Sequence, residues 1–142
     1  MKKLILLGVL ILLLVSCNSS TKKSNIVSQN QDSPQLKKSM ERGKIVYEDM
    51  CITCHLPDGK GVPKAFPPLA DSDYLRENQT ESIKAVKYGL SEEIIVNGIT
   101  YSGTMTPLGL SDEEVADVIN YINNSWGNKS SNFITPDKVS KL

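Results

Sequence analysis

Two cysteines and a histidine, arranged as Cys51-Ile52-Thr53-Cys54-His55, constrain this chain more than any other feature. On one turn of helix, side chains at i and i+3 share a face. Two thiols placed so can reach the two vinyl groups on one edge of a porphyrin. His55, the next residue, can then turn under the ring plane and offer a nitrogen to the iron. C-x-x-C-H is the spacing of c-type haem attachment, whereas a bare C-x-x-C is shared by zinc ribbons and thioredoxin-like proteins. No strand is expected ahead of the motif, which argues against a thiol–disulfide oxidoreductase. His55 is also the only histidine among 142 residues. Neither a zinc site of two cysteines and two histidines nor a bis-histidine haem can form within one chain.

The N-terminus points to export. Lys2 and Lys3 precede an unbroken apolar run, Leu4 to Val15, and Ser16-Cys17 is a small-residue junction, the pattern of a signal peptide. The run is short for a membrane span, which takes about 20 residues. Leu14-Val15-Ser16-Cys17 resembles a bacterial lipoprotein signal, in which the cysteine is acylated and becomes the first mature residue. Residues 1–16 are therefore expected to be a signal peptide and Cys17 a lipidation site. The protein would be exported and anchored to a membrane, facing the periplasm or the cell exterior. Residues 17–35 have the Ser, Asn, Lys and Gln content of a flexible linker. With Cys17 acylated, Cys51 and Cys54 are the remaining pair. A bridge between them would close too small a loop to constrain the unfolded chain much, so they make more sense as chemistry than as a staple.

Charge excludes one class of partner. The precursor balances 16 basic against 16 acidic residues, and without Lys2 and Lys3 the net charge is near −2. Nucleic-acid binding needs a basic stripe, and none is present.

The remaining pattern is mostly helical. Leu36, Met40, Gly43, Tyr47 and Met50 fall at steps of three and four, a helical stripe running straight into Cys51. Residues 56–70 carry four prolines and two glycines and read as a loop. A short helix is expected within 71–77, and a second from Asn78 or Thr80 to Gly89. Ile94 to Tyr101 contains Asn97-Gly98 between β-branched flanks, the mark of a tight hairpin. A Gly/Pro loop, 102–110, carries Met105. Ser111-Asp112-Glu113-Glu114 is a capping box, and Val115, Val118, Ile119, Ile122 and Trp126 continue it as a helix up to Gly127. Residues 129–142 read as a polar tail, with Thr135-Pro136 a candidate start for a last short helix.

The second axial position on iron follows by elimination. Met1 leaves with the signal, Met50 sits on the attachment side, and Met40 belongs to the first helix. Met105 lies outside any periodic stripe, in a loop able to fold over a flat ligand, so His55 and Met105 are the expected ligands. Such Met/His ligation raises a haem's reduction potential. Metal-bound imidazoles usually give their other N–H to a carbonyl or carboxylate, and Pro67-Pro68 is an attractive source. Tyr101, Arg76 and Trp126 are candidate partners for the haem propionates.

Taken in order, Cys51-x-x-Cys54-His55, Phe66-Pro67-Pro68-Leu69-Ala70, Val96-Asn97-Gly98, Tyr101-Ser102-Gly103-Thr104-Met105, Leu110 to Glu114 and Asn124 to Asn128 resemble a class I, single-haem cytochrome c. The likeness spans about residues 38 to 139. More narrowly, it is similar to the domains associated with copper nitrite reductases and quinoprotein dehydrogenases. The resemblance implies an all-α domain over 36–128, wrapped around one covalent haem c, with a small β-hairpin insert. It implies that the first and last helices cross, with Gly43 and Tyr47 meeting Tyr121, and that the Pro67 carbonyl orients His55. One departure is Thr106, which stands between Met105 and Pro107 where the family commonly has Met-Pro. The implied role is electron transfer without substrate chemistry. Donors would lie on the quinol or dehydrogenase side, and acceptors would be terminal reductases or oxidases. Electrons would cross near Ile52, Thr53 and the Met105 loop. The alternative is a five-coordinate haem acting on peroxide or sensing a diatomic gas.

Overall fold

The structure, a computed structural model, describes residues 33–142; the signal segment, Cys17 and most of the expected linker lie outside them. The first helix, α1 (Pro34–Met50), starts two residues ahead of the expected domain boundary. Ser33 caps it, its hydroxyl accepting the Leu36 N–H at 3.1 Å, and Pro34 occupies the first turn, where a missing N–H costs nothing. Leu36, Ser39, Gly43 and Tyr47 form its buried stripe.

That stripe packs on α5 (Asp112–Ile122), which the capping box opens as expected: the Ser111 hydroxyl accepts the Glu114 N–H and the Glu114 carboxylate accepts the Ser111 N–H. A methyl at Gly43 would run into the Asp117 carbonyl and lie 2.9 Å from the Val118 nitrogen. The two backbones touch here, which only glycine allows. Gly43 thus meets Asp117 and Val118 rather than Tyr121, while Tyr47 does lie against Tyr121, ring centroids 5.5 Å apart. Beside this contact, the buried Asp117 carboxylate accepts from Ser39 at 2.6 Å and from two Arg42 nitrogens at 2.5 and 2.8 Å. A buried carboxylate is tolerable when its charge and lone pairs are matched in this way.

Two expectations are corrected at the C-terminal end. The α5 helix stops at Ile122 and does not include Trp126. Side chains consume its last carbonyls: Asn124 donates to Asn120 O, Ser125 to Tyr121 O and Asn128 to Ile122 O. Such bonds compete with continued helix. Trp126 then turns with φ 52° and lays its ring over Gly59. Residues 129–142 are also more than a polar tail, though the last short helix does start at Thr135-Pro136 as expected. Ile134 and Val139 are fully buried against α5, and α6 (Pro136–Ser140) is capped by Thr135.

Between these helices come α2 (Ile52–His55), α3 (Asp73–Glu77), α4 (Gln79–Tyr88) and one antiparallel pair, β1 (Ile94–Val96) and β2 (Ile99–Tyr101). Asn97 and Gly98 take φ 50° and 75° at the hairpin tip, as a type I′ turn requires. The tip is tied to α3, because Asn97 and Asp73 each accept the other's backbone N–H, at 3.0 and 2.7 Å. Neighbouring structure thus supports a hairpin too small to stand alone.

Candidate functional site

Cys51 is the C-cap of α1, buried, and Cys54 sits on the single turn of α2, half-buried. Neither is in a disulfide. Burial, with a smaller contribution from Cys54, pushes the Cys51 thiol up to about 11. It is therefore a protonated, quiet thiol at neutral pH.

His55 ends α2 with Nδ1 3.0 Å from the Pro67 carbonyl oxygen. A carbonyl can only accept, so Nδ1 carries the proton and Nε2 keeps its lone pair. Burial lowers the imidazole's pKa below its usual value, opposed in part by the Pro67 bond. The ring is thus held neutral in the tautomer that suits metal ligation through Nε2.

The loop that follows is built to deliver this carbonyl. The Gly61 N–H returns to His55 O, and the Gly59 carbonyl accepts from both Leu69 and Ala70. Gly61 takes φ 60°, and a methyl there would stand 2.6 Å from Pro67 O. Behind the motif, the Tyr47 hydroxyl donates to Leu56 O at 2.7 Å. Leu56 itself has φ 63°, a left-handed residue that turns the chain out of α2.

Met105 is half-buried and more restrained than a free loop would be. Its N–H donates to Leu90 O at 2.7 Å and its carbonyl accepts the Leu90 N–H at 2.8 Å. Gly89, at φ 83°, makes room: a methyl would lie 2.6 Å from Met105 O and 2.9 Å from Pro107 Cδ. The sequence signalled Gly89 only as a helix stop, and nothing in it signalled the Leu90–Met105 pairing.

His55, Pro67, Leu90, Ile94 and Met105 together border two adjoining clefts, each of about 610 Å³ including space open to solvent. The inner one continues past Cys51, Leu69, Leu75, Val96, Ile119 and Ile122. The outer one opens past Cys54, Ala65, Phe66, Tyr101, Gly103 and Thr104. No Asp, Glu, Lys or Arg lines either cleft. An apolar slot bordered by two thiols, a neutral imidazole and a thioether suits a flat, greasy macrocycle with a metal at its centre. Among the described residues, no cluster of three or more His, Cys, Asp or Glu could hold a free metal ion.

Of the propionate candidates, Tyr101 is at the outer cleft. Arg76 is not: it pairs with Asp71 at 2.8 Å and borders a separate polar hollow with Lys129. Trp126 spends its Nε1 proton on Pro57 O at 3.0 Å. Thr53 is exposed and Ile52 half-buried beside the attachment turn. No helix among the described residues is long and apolar enough to cross a membrane.

Comparison with known proteins gives the chain a family. The family model described as cytochrome c matches residues 40–126. Cytochrome c-552 of Thermus thermophilus is 40% identical over 101 residues, covering 65% of this chain and 77% of that protein. The cytochrome c subunit of the alcohol dehydrogenase (quinone) of Gluconacetobacter polyoxogenes is 33% identical over 109 residues, 70% of this chain but only 22% of the subunit. A cbb3-type cytochrome c oxidase subunit, FixP of Bradyrhizobium diazoefficiens, is 28% identical over 109 residues, 73% of this chain and 36% of that subunit.

Proposed function

This chain belongs to the cytochrome c family, and from that membership we propose that it carries electrons through a haem held by Cys51, Cys54, His55 and Met105. Haem c is the family's covalent cofactor, and the chain is an electron carrier rather than an enzyme. Bound haem supplies a one-electron iron couple. The chain's own residues supply the rest. Cys51 and Cys54 would hold it through two thioethers. His55 would offer Nε2 to the iron while its Nδ1 proton rests on Pro67 O. Met105 would offer its sulfur from the loop pinned to Leu90. Tyr101, at the outer cleft, would give its hydroxyl to a propionate.

The observation that carries this reading is the His55–Pro67 bond at 3.0 Å, because it selects the tautomer whose free nitrogen can ligate. With both axial positions filled, no substrate could reach the iron, and only its oxidation state could change.

Redox partners follow in kind from relatives that are subunits of a quinone alcohol dehydrogenase and of a cbb3-type oxidase. The reading extends to a quinol- or dehydrogenase-side donor and a terminal reductase or oxidase acceptor. It also includes residues 1–16 as a cleaved lipoprotein signal and acylated Cys17 as the anchor in a membrane facing the periplasm or cell exterior. From Cys17 a short linker would lead to the Ser33 cap of α1.

Spectroscopy on the protein matured in a host able to attach haem tests the ligand set. Ferrous wild type should be low-spin and refuse carbon monoxide at neutral pH, and Met105→Ala should become high-spin and bind it. Carbon monoxide binding by the wild type would instead favour a five-coordinate haem that handles peroxide or a gas. Incorporation of labelled fatty acid, lost in Cys17→Ser, tests the anchor.

A further inference from the structure

The polar hollow bordered by Arg76 and Lys129 lies outside the site described above. It has about 510 Å³ of room for solvent-sized molecules, within the range of small-molecule sites. The α3 helix and the first residue of α4 make one wall, and the chain just after α5 makes the other. Leu75 alone borders both this hollow and the inner cleft. The chemistry on its two sides is opposite. No charged side chain lines the cleft, whereas carboxamides, hydroxyls and two cations line the hollow.

Asn123 is the residue that points to a ligand. It is only 7% exposed, yet its carboxamide bonds to no described residue. Among the described residues, no sealed side-chain nitrogen or oxygen lacks a partner. The Asn123 carboxamide therefore reaches open space, and the space it borders is the hollow. Other donors there are also unspent. Gln79 gives its oxygen to Lys138 at 3.1 Å and to Asn132 at 3.5 Å, which leaves its amide protons free. Lys129 is exposed and pairs with no carboxylate among the described residues. Arg76 commits one nitrogen to Asp71, at 2.8 Å, and keeps the rest of its donors. Asp71 is the only carboxylate at the hollow and is already matched by that pair. The α4 helix opens at this wall with no side-chain cap, so its dipole adds to the positive field.

We propose that this hollow binds a small soluble oxyanion, a carboxylate or a phosphate, through Arg76, Lys129 and the amides of Asn123 and Gln79. Free donors outnumber free acceptors here, and charge-assisted bonds from Arg and Lys to an oxyanion are the strong kind. A neutral polyol would need acceptors to match its own hydroxyl protons, and a cation would be repelled by Arg76 and Lys129. Binding here does not depend on how the iron is ligated.

Titration of the haem-loaded ferrous protein with inorganic phosphate or succinate, followed by NMR of the side-chain amides, is the test. Ionic strength is held constant with chloride. The Asn123 and Gln79 amides should shift and saturate, with Kd below about 1 mM. Saturation at lower phosphate than succinate assigns a phosphate ligand and the reverse a carboxylate; either supports the site. Lys129→Gln, a change at an exposed position, should weaken binding about tenfold. Lys141→Gln removes a cation that pairs with Asp137 away from the hollow and should leave Kd unchanged. Shifts that grow without saturating, or that chloride alone reproduces, overturn the proposal. So does equal weakening by the two lysine variants.

Discussion

The Asn120 side chain grips Ile134 from both sides: its carboxamide oxygen accepts the Ile134 N–H at 2.9 Å, and its amide donates to the Ile134 carbonyl at 2.8 Å. Both residues are fully buried. One side chain thus does the work of a neighbouring strand and docks the C-terminal segment on α5. The second amide proton reaches Ser39 Oγ at 2.9 Å, so the same residue also ties that segment to α1. Asn120→Ala strands two buried backbone groups and should cost about 2–4 kcal/mol. Denaturant unfolding of the haem-loaded variant, against wild type, reads the loss directly.

Gly43→Ala should be equally severe for a different reason. The added methyl would meet the Asp117 carbonyl and the Val118 nitrogen, which are backbone atoms of a packed helix and cannot rotate away. A cost of about 3 kcal/mol is expected, at the upper end for over-packing. Lys44→Ala, one residue on and exposed, should change stability by less than about 0.5 kcal/mol.

Gly61→Ala should move the reduction potential with little change in the ligand set. A methyl at this position presses on the Pro67 carbonyl and loosens its bond to His55 Nδ1. That bond makes the imidazole a stronger donor and favours ferric iron. Weakening it should raise the potential, on the order of tens of millivolts within the roughly 0.8 V that axial ligation controls. Voltammetry at pH 7 decides; a fall would contradict the assigned tautomer.

Acid should weaken the start of α5. Hydrogen bonds from the Ser111 backbone and hydroxyl hold the Glu114 carboxylate below its usual pKa. A group with a depressed folded pKa stabilises above its unfolded value, near 4.5, and that stabilisation fades as pH falls through the folded value. Glu114→Gln should therefore have a lower Tm than wild type at pH 7, and the gap should narrow as pH is taken below about 4.5. A gap that stays constant into acid would mean the capping box contributes no charge-dependent stability.

What could be read in the residues was local. Ser111 to Glu114 specify their own cap, Asn97-Gly98 specify their own turn, and Leu36, Gly43 and Tyr47 mark the buried face of α1, because each needs only neighbours a few positions away. Met50, at the end of that stripe, is exposed. Trp126 shows where this stops. Its spacing continues the α5 stripe, yet the side chains of Asn124, Ser125 and Asn128 take up the helix's last carbonyls and turn the indole toward Gly59. Met105 is similar: composition marks a flexible loop, while two backbone bonds to Leu90, fifteen residues earlier, fix it.

By itself the sequence pointed to the chemistry, since C-x-x-C-H sets two thiols and an imidazole within about one helical turn, where all three can reach one cofactor however the rest folds. It also determined most of the helices, whose hydrogen bonds close within four residues. Only the tertiary structure decided which backbone Gly43 meets, what pins Met105, and that Ile134 and Val139 belong to the core. Those are contacts between segments far apart in the chain, and they depend on backbones approaching as closely as Gly43, Gly61 and Gly89 permit.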